Sequence, residues 1–379
     1  MEALTLDSTE KILLVTTGIL FIIQVIYYLC LYNRIHARNR AVKRGDTHFS
    51  QELPPISVII CAREESEDLR RNLNAVLEQD YPQFEVIVIN DGNTDEDYLT
   101  LLEDKYPHLY HSFVPDSSRY ISRKKLAVTL GIKASKYDWL VFTDAKCLPQ
   151  SNQWLRLFAR NFTSRTQIVL GYSGYERGKG WLHKRVCFDN LFTSMRYLGF
   201  ALAGSPFMGI GRNLAYRKEL FYEQKGFSAH LNLQRGDDDL FINQVATSEN
   251  TRVETDANAI VRMQPVFRAK DWREEKISYA STARLYRGAQ RWLAGFETST
   301  RLAFYGAWIA MLVIGILNFH WLAAGIAFFI FLLRFTMQAI IINKTAKNLE
   351  EKRRYYFTLP VFDLLQPMQS LRSEKEADS

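Results

Sequence analysis

The chain has 379 residues, enough for two domains or one large one. Hydrophobic residues make up 47% and charged residues 23%, which excludes wholesale disorder, and 48 Lys and Arg against 41 Asp and Glu leave a net charge of +7. The four cysteines (Cys30, Cys61, Cys147, Cys187) lie far apart with no CxxC pair, which argues against a structural zinc site or disulfide scaffold and for a reducing compartment.

Residues 12–31 run without a charge. At about 1.5 Å per residue they span a hydrocarbon core of roughly 30 Å. A cleaved signal peptide fits poorly, because Glu2, Asp7 and Glu10 precede the run and bulky Tyr27, Tyr28 and Leu29 stand where a cleavage site needs small residues. Arg34, Arg38, Arg40, Lys43 and Arg44 follow, which places that flank in the cytoplasm and the N-terminus outside. Residues 302–319 and 321–342 are two further apolar runs separated by His320, a helical hairpin. Lys344, Lys347, Lys352, Arg353 and Arg354 come next, on the cytoplasmic side that two crossings require. Arg334, inside the third run, is expected to snorkel to the interface, the alternative being a partner helix. Residues 355–371 are apolar but short and carry Pro360 and Pro367, as an interfacial or re-entrant segment would. The domains expected are a membrane anchor (1–33), a basic cytoplasmic linker (34–53), a central domain (54–296), a transmembrane hairpin (297–343) and an interfacial segment with a tail (344–379). Part of the basic excess belongs to this topology, and no interleaved aromatic and basic motif points to nucleic acid.

Between the apolar ends, strands alternate with helices. Residues 56–61 form a short β-branched run bounded by Pro54 and Pro55; Leu69, Leu73, Val76 and Leu77 recur at helical spacing; residues 85–90 form a second strand, ending at Asp91. A helix over 98–106, a strand over 109–114 and a helix over 124–134 precede a fourth strand over 139–143, ending at Asp144. The fold class is α/β with a mainly parallel sheet covered on both faces. Ligands of such sheets bind beyond the carboxyl ends of strands, so the polar residues after Ala62, at Asp91 and at Asp144 converge on one rim. A single Asp after a strand is more often a turn or cap; three at successive strand ends point to a shared site. Residues 181–202 read equally as an amphipathic surface helix or a core helix.

These residues resemble a family 2 glycosyltransferase of the GT-A fold, related to hyaluronan and cellulose synthases, over roughly 54–244. Residues 55–65 look like its opening strand and loop, 88–95 its nucleobase-binding element, 142–147 its D-A-D position and 236–241 its acidic base motif. The resemblance implies an inverting transfer from a nucleotide-sugar donor held by Ala62, Glu64, Asp91, Lys124, Asp144 and Lys146. Asp238 would be the catalytic base, with Asp237, Arg291 and Trp292 at the acceptor or diphosphate. A leaving diphosphate needs cationic stabilisation, commonly Mg²⁺ or Mn²⁺ on carboxylates, and the acceptor hydroxyl needs a base. The acidic triplet 237–239 also reads as a helix N-cap, and both roles are compatible.

Two positions depart from the pattern. Lys146 stands where the second Asp, the usual metal ligand, is expected. Its ammonium either replaces part of a metal's charge, or leaves a metal on Asp144 with phosphate oxygens and water, or marks lost activity. The Q-x-x-R-W motif of processive relatives has Gly288 in place of its glutamine, ahead of Arg291 and Trp292. The expected protein is a multi-pass enzyme of the cell inner membrane with a cytoplasmic catalytic domain. Its acceptor would be a lipid-linked or membrane glycan in envelope polysaccharide or glycolipid synthesis. Sugar transfer to polyprenyl phosphate and a non-catalytic scaffold retaining the fold are the alternatives.

Overall fold

The computed structural model describes residues 7–63, 65–92, 96–115 and 121–377. Ten strands follow in chain order: β1 (Ile56–Ala62), β2 (Phe84–Asn90), β3 (Leu109–Phe113), β4 (Trp139–Asp144), β5 (Cys147–Pro149), β6 (Ile168–Leu170), β7 (Ser173–Tyr175), β8 (Leu214–Arg217), β9 (Thr251–Val253) and β10 (Val261–Met263). Seven of them form one sheet in the order β3-β2-β1-β4-β8-β6-β9; only β8 runs antiparallel to its neighbours. β5, β10 and β7 form a small second sheet. The continuous apolar runs of β1 and β2 follow from burial on both faces, and helix Arg123–Ala134 packs on them. Each fully buried Ile or Val there contributes about 1.5–3 kcal/mol.

In register, Ala62 pairs with Asn90 and Cys61 with Asp144, so β1, β2 and β4 end level with one another. After Asp144 the chain turns through Ala145 and Lys146 straight into β5, leaving the main sheet for the small one. This switch makes the rim on which the polar strand-end residues stand.

Helix Trp181–Leu202 is a core element. Val186, Phe188, Leu191, Phe192 and Met195 are buried on several sides of it, which overturns the surface-helix alternative. Gly199 lets it approach the N-terminal helix Ser8–Arg44: a Cβ there would lie 2.7 Å from the Leu31 carbonyl oxygen.

Among the described residues, three helices are long and apolar enough to cross a membrane: Ser8–Arg44, Ala289–Leu317 and Trp321–Asn348. The first starts at a capping box of Asp7 and Glu10, passes through a π-helical turn at Tyr28–Tyr32, and continues through the basic residues to Arg44. Ile12, Val15, Ile19, Ile22, Ile26 and Leu29 are exposed along one face, the stripe a lipid-facing helix presents. Glu10 meets His320 of the hairpin turn at 2.7 Å, so the N-terminal end and the turn share one end of the bundle. The α/β domain sits at the other.

Arg334 does not snorkel. It is fully buried and donates to Asp363 at 2.8 Å, and Arg301 reaches the other carboxylate oxygen at 3.2 Å. Asp363 lies on helix Leu359–Glu376, which tucks the expected interfacial segment against the bundle. A carboxylate brought to the guanidinium removes the need for water at the interface.

Candidate active site

A cavity of about 620 Å³ opens beyond the strand ends, with Lys124, Asp144, Lys146, Arg212, Asp237 and Asp238 among its walls. A larger cavity of about 740 Å³ lies at the opposite edge, beside Lys136, Trp139 and Arg217. None of the strand-end carboxylates reaches that one, so the chemistry belongs to the smaller.

Each side chain is delivered by a local device. Asp144 is the last residue of β4. Lys124 stands in the first turn of a helix capped by Ser122, whose hydroxyl accepts from the Lys125 amide. Its ammonium meets Asp237 at 3.1 Å. Burial opposes that charge, but Asp237, Asp144 and Asp238 outweigh it and hold the Lys124 pKa well above the ordinary lysine value. Lys146 meets Glu65 at 2.7 Å, and with Asp144 also near, its pKa is raised despite burial.

Gly236 has φ of 99°, a left-handed conformation that lets the chain turn sharply into Asp237. Asp238 then caps helix Asp239–Val245, one carboxylate oxygen accepting from the Asp239 amide at 2.8 Å. Its other oxygen accepts from the Gly211 amide at 2.8 Å and the Tyr279 hydroxyl at 3.4 Å. Burial and the neighbouring Asp237 raise the Asp238 pKa above the usual carboxylate range, while Lys124 and the two amides oppose them. Asp239 turns away to accept from Thr282 and, at 2.6 Å, from Tyr286. Burial and Asp238 push its pKa up to about 7.

Lys124, Asp144, Lys146, Asp237 and Asp238 therefore come together. Asp91 directly follows β2 on the same rim but is buried against Arg123, with Arg63 at 3.9 Å, and lies outside the cavity lining. Ala62 contributes its carbonyl to the Asp91 amide at 2.7 Å. Glu64 lies outside the described residues. Arg291 and Trp292 stand apart: Trp292 is 73% exposed at the start of the second membrane helix, and Arg291 stacks on it. Lys125, next to Lys124, faces away and donates to the His230 and Leu233 carbonyls at 2.6 and 2.9 Å.

Sequence reasoning missed Arg212, Glu275, Tyr279 and Thr282. Arg212 and Glu275 form a 2.6 Å ion pair in the cavity wall, and Arg212 holds the carboxyl below its usual range against the effect of burial. Glu275, Tyr279 and Thr282 recur at four- and three-residue spacing, one face of helix Ala269–Ala283, and that periodicity was the available signal.

A divalent cation does not fit these residues well. The strand-end motif offers one carboxylate, Asp144, followed by an ammonium. Among the described residues, no three His, Cys, Asp or Glu side chains form a group that could hold a metal ion. Asp237 and Glu65 are already neutralised by Lys124 and Lys146.

Residues 57–224 match the family model described as Glycosyl transferase family 2. Two poly-beta-1,6-N-acetyl-D-glucosamine synthases of Staphylococcus epidermidis are 30% and 31% identical over 128 residues, which is 34% of this chain and 29% of theirs. The match thus spans under a third of the length of these curated relatives. The mannosyltransferase PcManGT from Pyrobaculum calidifontis, solved in complex with GDP-Man and Mn²⁺, is 19% identical. It superposes with a TM-score of 0.55 over 91% of this chain and 100% of its own. At that identity the likeness is one of fold, and the fold is GT-A.

Proposed function

We propose that this chain, which carries a family 2 glycosyltransferase domain over residues 57–224, moves a sugar from a nucleoside-diphosphate donor to a membrane-associated glycan acceptor, as a step in envelope polysaccharide or glycolipid synthesis. The single observation that carries the reading is the meeting of Lys124, Asp144, Asp237 and Asp238 around one cavity at the carboxyl edge of the sheet. The match to polysaccharide synthases supports the acceptor class. The apolar helices support a membrane location, and the basic residues that follow the first and third of them support a catalytic domain on the cytoplasmic side.

In this reading Asp238 takes the proton of the acceptor hydroxyl. Its oxygens are aimed by two backbone amides, and its raised pKa brings its basicity closer to neutral pH. The acceptor oxygen attacks the anomeric carbon as the bond to the diphosphate breaks, which inverts the configuration. The charge that develops on the leaving group faces Lys124 and Lys146, fixed cations that need no reorganisation during the step. Asp91, on the same rim beside Arg123 and Arg63, marks where the nucleoside end of the donor would lie.

The test is transfer of radiolabel from nucleotide sugars into membrane glycan and lipid extracts by the purified full chain. Label in glycan supports the reading, whereas label in a polyprenyl monophosphate sugar would replace it with the polyprenyl phosphate alternative. Absence of transfer, together with absence of nucleotide binding by calorimetry, would mean a scaffold.

A further inference from the structure

We propose that a second cavity, next to the catalytic one and level with the membrane surface, binds the phosphate headgroup of a bilayer lipid. It measures about 430 Å³, and Arg177, Lys179, His183, Lys352 and Arg353 contribute to its walls. The two carboxylates of its lining are engaged elsewhere: Glu176 with Arg71 at 2.7 Å and Glu351 with Arg262 at 2.6 Å. Arg177, Lys179 and Lys352 are exposed, Lys352 with the exposed Glu350 at 3.8 Å, and Arg353 donates to the Gly178 carbonyl. The cavity is therefore short of negative charge. Burial and Arg353 depress the pKa values of both His183 and the adjoining Lys184.

Its depth is fixed by the third membrane helix. Asn343 directly follows that helix's apolar run. Its side chain accepts from the Tyr355 amide at 2.7 Å and donates to the Tyr355 carbonyl at 2.8 Å. The loop carrying Glu351, Lys352 and Arg353 thus dips away from the bilayer and returns to its boundary. At that boundary Tyr356 is 52% exposed and Phe357 99% exposed, and Trp181, 54% exposed, sits 4.8 Å from Phe362. Exposed aromatic rings beside lipid-facing helices are anchored at the headgroup level, with the basic cluster just below them where lipid phosphates lie. Free phosphate would use the same cations but gains nothing from the aromatic rim, so the lipid is the occupant. Tyr175 lines this cavity and the catalytic one alike, which puts a lipid held here beside the cleft. Only that last relation rests on the function proposed above.

The test uses the full chain in phosphatidylcholine nanodiscs with and without phosphatidic acid, beside the Arg177→Gln/Lys179→Gln/Lys352→Gln variant. Thermal stability and lipid retained through detergent washing are read by scanning fluorimetry and mass spectrometry. The parent should retain phosphatidic acid and gain stability from it, while inorganic phosphate gives no gain. The variant should melt like the parent in phosphatidylcholine and lose at least about tenfold in phosphatidic acid retention. Equal retention by the variant, or an equal gain from inorganic phosphate, overturns the proposal. Sugar transfer is not measured, so the outcome bears on this site alone.

Discussion

Lys124 and Asp237 form a 3.1 Å ion pair in the wall of the catalytic cavity. A cation in the first turn of a helix opposes the helix dipole. The three carboxylates around Lys124 reverse that penalty and keep it charged, which suits a residue that meets a diphosphate.

Lys124→Gln should lower kcat/KM for sugar transfer by about 10- to 100-fold, the worth of one charge-assisted hydrogen bond. It should also move the acidic limb of the pH profile upward, because Lys124 holds the Asp238 pKa down. Asp237→Asn removes a like charge and should move that limb to lower pH. A profile that moves the other way in either variant would contradict the assignment of Asp238.

Activity should persist in EDTA, because Lys124 and Lys146 supply the positive charge. Lys146→Asp should lose activity without metal. A variant as active as the parent in chelator would exclude a role for the ammonium.

Asp239 should make stability depend on pH. Its folded pKa of about 7 lies above the unfolded value near 4. The stability it contributes is present below about pH 4 and is lost as pH rises through 7. The melting temperature of the parent should therefore fall more between pH 5 and pH 8 than that of Asp239→Asn, measured in one detergent.

Asp363→Ala should leave Arg334 buried without a carboxylate and Arg301 with Glu297 alone, at 3.4 Å. A broken buried pair costs about 3–5 kcal/mol, so the variant should melt well below the parent or fail to accumulate. An unchanged melting temperature would mean that the contact is not formed in the bilayer.

The legible parts of this chain were those with local signals. β1, β2 and β4 showed as unbroken apolar runs because parallel strands are buried on both faces, and Asp144 and Asp238 stood out by following a strand and by preceding a helix. Arg334 was misread because its partner, Asp363, lies on another helix 29 residues on. Tyr279 and Thr282 were passed over because the Asp238 and Asp239 they touch are about 40 residues away along the chain. Helix Trp181–Leu202 was ambiguous because charges at its start mask an apolar remainder.

The central claim is that Asp238 deprotonates an acceptor hydroxyl, and Asp238→Asn tests it most directly. Transfer of labelled sugar from the nucleotide donor into membrane glycan should fall by about 10²- to 10⁴-fold, with nucleotide affinity by calorimetry unchanged. Transfer at the parent rate by Asp238→Asn would contradict the account.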